Sequence, residues 1–201
     1  MNQTEYRRLG RSYADLMNDR AGIFAPERYA KDVAAVVDAV ATALEAGRRV
    51  YWMGNGGSAA EAQHLAAEFS GRFLRERRGL ASEAFNVNAS TITAIGNDFS
   101  YDEVYSRQVE AFVVPGDVVI GMTTSGTSKN IVRALETARA FGAVTIAFTG
   151  NGGGTVMQHA DHAIVGPDGY SAIVQEVHLV LGHVVCDLVE QRIMAREAAS
   201  V

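Results

Sequence analysis

The sequence predicts an α/β fold, a parallel sheet covered by helices on both faces. Three observations predict it. Five short apolar runs, at 49–53, 84–87, 117–122, 144–149 and 162–166, alternate with segments of helical periodicity. The first run ends in a glycine-rich turn, Gly54-Asn55-Gly56-Gly57-Ser58, that opens directly into an alanine-rich helical pattern. The third ends in a hydroxyl-rich turn, Thr123-Thr124-Ser125-Gly126-Thr127-Ser128, just before another helix start. Strands that alternate with helices are joined by right-handed crossovers, which makes the sheet parallel and buries both of its faces. Ligands in such sheets bind beyond the carboxyl ends of the strands, so both turns are candidate binding loops.

Before the first strand, residues 1–48 read as two helices. One covers about Asn2 to Asn18, with Leu9, Tyr13, Leu16 and Met17 apolar; the other covers about Pro26 to Ala46, with a broad apolar face of Val33, Val36, Val37, Val40 and Leu44. Pro26 and Gly47 suit its start and stop. These helices are not crossovers of the sheet, and their expected use is a subunit interface. Residues 49–201 form the core, with helical patterns at about 59–73, 90–95, 102–113, 129–141, 153–158 and 172–194. No linker divides the chain, and 201 residues suffice for one domain with a full hydrophobic core.

Composition removes some functions. A net charge of −5 argues against nucleic acid as the main partner, which usually requires a basic patch. The single cysteine, Cys186, allows no intrachain disulfide and suits a reducing cytoplasm. Residues 1–20 are polar and contain no signal-like apolar core. The longest apolar stretch, 173–188, is interrupted by Gln175, Glu176, His178, His183 and Asp187. The expectation is a cytoplasmic protein with no membrane partner.

The chemistry is concentrated in a few places. Ser58 is expected to cap the helix after the glycine turn, leaving free amides for an anion. On that helix His64 and Glu68 are four apart and share a face. The bland alternative is that Glu61, His64, Glu68 and Arg72 make a solvated stripe laced with ion pairs. In the second turn, Thr123, Ser125 and Ser128 could cradle a phosphate with helix amides and no lysine. A simple N-cap would need only one hydroxyl. Gly96-Asn97-Asp98 alone reads as a turn. On the last helix His178 reads as a core residue, and His183 lies eight positions beyond Gln175, a rise of ~12 Å.

Taken together, Gly54-Asn55-Gly56-Gly57-Ser58, His64 with Glu68, Gly96-Asn97-Asp98, Thr124-Ser125-Gly126, and Gln175-Glu176 with His178 and His183 resemble the phosphoheptose isomerases. These SIS-domain enzymes interconvert sedoheptulose 7-phosphate and D-glycero-D-manno-heptose 7-phosphate. The resemblance runs from the N-terminal helices to about Arg192. It implies an SIS-type doubly wound five-stranded parallel sheet, assembled as a homotetramer through the N-terminal helices, with sites at subunit interfaces. It also implies that Glu68 and His183 are the catalytic acid/base pair, and that His64, Glu68, Gln175 and His183 bind zinc. The substrate-contacting positions it implies are Asn55, Gly56, Gly57, Ser58, Glu68, Asn97, Asp98, Thr123, Thr124, Ser125, Ser128 and Gln175. Thr123 stands where relatives carry serine, which keeps the hydroxyl, and Thr127 replaces an asparagine or lysine type.

Aldose–ketose isomerisation moves a proton between C1 and C2 through an enediol, and a Glu/His pair suits that task. A zinc on the same two residues would compete with their proton-carrying role, and the ~12 Å between Gln175 and His183 strains a common ion. The rival from another class is the DnaA initiator-associating type, a non-enzymatic SIS protein that binds a replication initiator. That type does not retain the counterparts of Glu68 and His183; this chain has both. A sugar-phosphate sensor of the same fold would carry a DNA-binding domain, which the first 48 residues do not resemble.

Overall fold

The computed structural model describes residues 13–199. Helices α1 (Tyr13–Asn18) and α2 (Pro26–Glu45) precede the sheet. There follow β1 (Val50–Gly54), α3 (Gly57–Ser70), β2 (Ser82–Ala84), α4 (Ala89–Asp98), α5 (Ser106–Phe112), β3 (Val118–Thr123), α6 (Lys129–Ala140), β4 (Val144–Thr149), β5 (His162–Val165) and α7 (Ser171–Ala199). All five strands are parallel, in the order β2-β1-β3-β4-β5. The order reverses at β1 and β3, which are neighbours in register from Val50↔Val118 to Gly54↔Met122. The glycine-rich and hydroxyl-rich turns therefore leave adjacent strands at the topological switch point.

Every residue of β1 and β3 is buried, as a sheet covered on both faces requires. Alternation along β1 separates two cores. Val50 and Trp52 join α2, α3 and α7 on one face. Tyr51 and Met53 join α5 and α6 on the other. Trp52 is fully buried, and its indole N–H donates to Ser82 Oγ at 3.1 Å, so no donor is stranded.

One glycine sets the geometry that matters later. A Cβ on Gly182 would lie 2.6 Å from Leu65 Cδ1. Only a residue without a side chain lets α7 approach α3 this closely, and the approach carries His183 toward His64.

Local structure departs from the sequence reading at several points. The second apolar run is a three-residue strand at 82–84, not 84–87. Phe85 still donates its N–H to Trp52 O (2.9 Å), but the chain then turns toward Asn88, whose side chain caps α4. The expected turn Gly96-Asn97-Asp98 is the last part of α4. The pattern at 102–113 divides into a 3₁₀ turn, Tyr101–Glu103, and α5. The pattern at 153–158 is only a 3₁₀ turn, Thr155–His159, preceded by three glycines with positive φ that no α-helix tolerates. Ser58 is not an N-cap. Helix α3 starts at Gly57 behind Gly56 (φ +56°), which places Ser58 inside the first turn and buries it. The expected first helix is described only as α1; its part from Asn2 to residue 12 lies outside the described residues.

Helix α7 is long and apolar enough to cross a membrane by length and composition alone. It packs on α2, α3 and β4, with His178 and Glu190 fully buried, as the core helix of the domain. His178 is the core residue the sequence suggested, its Nε2 2.9 Å from the Thr149 carbonyl.

Candidate active site

Helix α3 supplies His64 and Glu68, and α7 supplies His183. His64 Nε2 lies 2.7 Å from His183 Nε2 and 3.5 Å from Glu68 Oε1. The two imidazoles meet edge to face, centroids 5.0 Å apart. One ligand atom from each of the three residues falls within 4.8 Å of the others. The His64 side chain is 46% exposed and that of Glu68 22%, so the cluster opens to solvent on one side. Partial burial, and then the neighbouring His64, hold the His183 pKa below its ordinary value against the pull of Glu68. The imidazole is therefore neutral at pH 7.

The donor set fits a catalytic-type zinc, with two imidazoles and a carboxylate and a position left open. His64, Glu68 and His183 could hold such an ion. Gln175, the fourth member of the expected set, is engaged elsewhere. Its amide lies against Gly57, and its Nε2 donates to Ser58 Oγ at 3.4 Å.

At the glycine turn, Asn55 and Asn130 exchange two amide hydrogen bonds of 2.9 Å each, and Tyr101 Oη donates to Asn55 Oδ1 at 3.0 Å. Tyr105 Oη bonds the Gly54 carbonyl and fixes the end of β1. Asn130 and Tyr101 escape sequence reading because they come from other elements. Asn97 and Asp98 are exposed at the end of α4 and bond each other at 2.8 Å rather than the two loops.

In the second turn the hydroxyls face one another. Thr123 Oγ1 is 2.9 Å from Ser128 Oγ and 3.5 Å from Ser125 Oγ, and Ser125 Oγ accepts from the Thr127 N–H and hydroxyl at 3.3 and 3.1 Å. Ser128 is the N-cap of α6 by position, yet its side chain makes no capping bond. The Ile131 amide is taken by Asn130 Oδ1 at 3.0 Å, which leaves the amides of Lys129 and Asn130 at the start of α6 for an anion. Thr124 Oγ1 pairs with Ser171 Oγ at 3.1 Å. Behind the turn, Asn151 Nδ2 donates to Thr124 O (3.1 Å) and Val156 N to Gly126 O (2.9 Å).

The stripe Glu61, His64, Glu68, Arg72 is only in part the solvated, ion-paired face of the bland alternative, for His64 is exposed and pairs with Glu68. Arg72 is exposed beside Glu76, but Glu61 is half-buried. Its pKa is pushed up to about 7 by burial, against a hydrogen bond with Ser58. His178 moves oppositely: burial lowers it to about 4, against its bond to Thr149. The two groups give stability opposite slopes. Unfolded His178 takes a proton from pH 6.5 downward while the folded group resists to about 4, so its contribution is lost as pH falls through that window. Unfolded Glu61 ionises from pH 4.5 upward while the folded group keeps its proton to about 7, so its contribution is lost as pH rises. Glu61→Gln should therefore unmask a steeper loss of stability on acidification from pH 7 to 5 than wild type shows. Urea unfolding at the two pH values checks this; equal slopes would refute it.

The fold and the site define an SIS-domain protein. The SIS domain family model matches residues 13–150. The phosphoheptose isomerase of Aquifex aeolicus is 49% identical over 170 residues, covering 85% of this chain and 89% of the relative. That of Burkholderia pseudomallei is 42% identical over 197 residues, 98% of this chain and 100% of the relative. The solved structure of phosphoheptose isomerase from Neisseria gonorrhoeae superposes with a TM-score of 0.83 at 33% identity, covering 89% of this chain and 96% of the other. That from Francisella tularensis gives 0.82 at 31%, covering 90% and 100%. The chain belongs to the phosphoheptose isomerase family.

Proposed function

We propose that this chain interconverts sedoheptulose 7-phosphate and D-glycero-D-manno-heptose 7-phosphate, as a zinc-assisted homotetramer in the cytoplasm. The observation that carries the chemistry is the juxtaposition of Glu68 with the imidazoles of His64 and His183, the latter held below its ordinary pKa by burial. The reaction removes a proton from one carbon, returns it to the next, and exchanges protons between the two oxygens. Glu68 and His183 divide these transfers. A zinc held by His64, Glu68 and His183 would polarise the carbonyl as a Lewis acid. The hydroxyls of Thr123, Ser125 and Ser128, with the open amides of α6, bind the phosphate and so position C1 and C2. Asn55, held by Asn130 and Tyr101, and the backbone of Gly56 and Gly57 meet the sugar hydroxyls, with Ser58, Thr124, Gln175, Asn97 and Asp98 as the further contacts.

Distance along α3 supports an interface site. Glu68 is eleven residues past Gly57, a rise of ~16 Å. A seven-carbon sugar phosphate spans only roughly 10 Å from C1 to phosphorus at ordinary bond lengths. The acid/base pair and the glycine turn of one chain are then too far apart to serve the two ends of one substrate, so the parts of one site come from different subunits. Apolar surface supports the same assembly: Phe24 just before α2, Val180, Val184 and Leu188 along α7, and Tyr13 and Met17 on α1 are exposed. Light scattering at micromolar concentration should give a four-chain mass. Leu188→Glu should lower that mass and remove activity together; a wild-type monomer with full turnover would end this reading.

An initiator-binding scaffold is the less favoured alternative. It has no use for a carboxylate and two imidazoles within 4.8 Å.

A further inference from the structure

Phe73 lies nearly parallel to the His183 ring, with centroids 5.5 Å apart and planes 25° apart. No helix or strand holds it, because residues 71–81 connect α3 to β2 irregularly. A side chain on α7 holds it instead. Glu190 has no exposed surface, and its carboxylate accepts the backbone N–H groups of Phe73 (3.1 Å), Leu74 (3.0 Å) and Arg75 (3.0 Å). Burial pushes this carboxyl up, but the three amides and the Arg77 charge outweigh it and keep it below the usual range.

Arg77, with 2% of its side chain exposed, completes the arrangement. Its Nε donates to Glu190 Oε1 at 3.0 Å. Its Nη2 donates to the Glu68 carbonyl at 2.8 Å, and its Nη1 to those of Phe69 (2.9 Å), Gly71 (3.1 Å) and Arg78 (3.0 Å). One guanidinium thus satisfies two of the orphan carbonyls in the last turn of α3, those of Glu68 and Phe69. A buried ion pair contributes little to stability compared with well-packed apolar groups. What it supplies is direction, through planar, charge-assisted bonds that permit one arrangement.

We infer that the Glu190–Arg77 pair is a positioning device for the proton-transfer pair. It fixes the backbone from Glu68 to Arg75, so that Glu68 is held at the end of α3 and the Phe73 ring stays stacked on His183. Neither Glu190 nor Arg77 touches the reacting atoms. The inference rests on the reading of Glu68 and His183 as the proton-transfer pair.

The test uses Phe73→Leu, Phe73→Tyr and Glu190→Gln in the full-length protein. Steady-state kinetics with sedoheptulose 7-phosphate are combined with the Cε1–H resonance of His183 by NMR. Phe73→Leu should lower kcat by about tenfold or more, the usual effect of losing a group that orients an active side chain, with KM changed less than about twofold. It should also move the His183 resonance, since the ring current of Phe73 is lost, and Phe73→Tyr should restore both. Glu190→Gln, if folded by circular dichroism, should lower kcat in the same way; if it does not fold, the Phe73 pair decides. Phe73→Leu or folded Glu190→Gln with near-normal kcat, while Glu68→Gln is inactive, would overturn the positioning role and leave the proton-transfer reading standing. Near-normal kcat in Glu68→Gln would overturn that reading itself.

Discussion

Glu68→Gln is expected to lower kcat by about 10²–10⁴-fold, the range for losing a positioned acid/base group, with KM within a few fold of wild type. The amide keeps the size of the carboxylate and cannot take a proton. The Glu68 main chain stays bonded to Arg77, so the helix end is not disturbed. The phosphate loop is a separate element, the turn between β3 and α6, so binding energy from the phosphate survives. The split between kcat and KM is therefore the diagnostic, measured at saturating sedoheptulose 7-phosphate. A variant that kept near-normal kcat would show that Glu68 carries no proton.

Gly126→Ala is expected to damage binding instead. Gly126 has φ +69°, and a Cβ there would collide with the Gly153 carbonyl oxygen, a backbone atom that cannot swing aside. The hydroxyl-rich turn must then lift away from the 150–154 turn, breaking the Val156 N–H bond to Gly126 O and the Asn151 bond to Thr124 O. Strain of about 1–3 kcal/mol accompanies a side chain in this conformation, a fall in Tm of about 5 °C for a chain of this size. KM for the sugar phosphate should rise about tenfold or more, and inorganic phosphate should become a weaker inhibitor. Unchanged KM would mean that the phosphate sits elsewhere.

The two turns at the switch point were legible because each couples a strongly apolar strand to chemistry that a plain loop does not need. Five hydroxyls at 123–128 exceed the needs of one cap, and in the structure Ser128 does not cap at all. Strand edges were less legible. Phe85 and Val87 are apolar, but apolarity reports burial and not ladder pairing, so β2 lies earlier than the run suggests. Local pattern also cannot see a neighbour. Ser58 looked like a cap because its partner, Gln175, is 117 residues away. Arg77 and Glu190 are 113 apart and carried no motif. The His64–Glu68 pair was readable from helical spacing within α3, whereas its contact with His183 depends on Gly182, whose role appears only when α3 and α7 are seen packed.

The most direct measurement is turnover of sedoheptulose 7-phosphate by the purified protein, followed by NMR of the aldose product before and after chelation. The account predicts product formation that chelation abolishes and zinc restores. No product under any metal condition would contradict it.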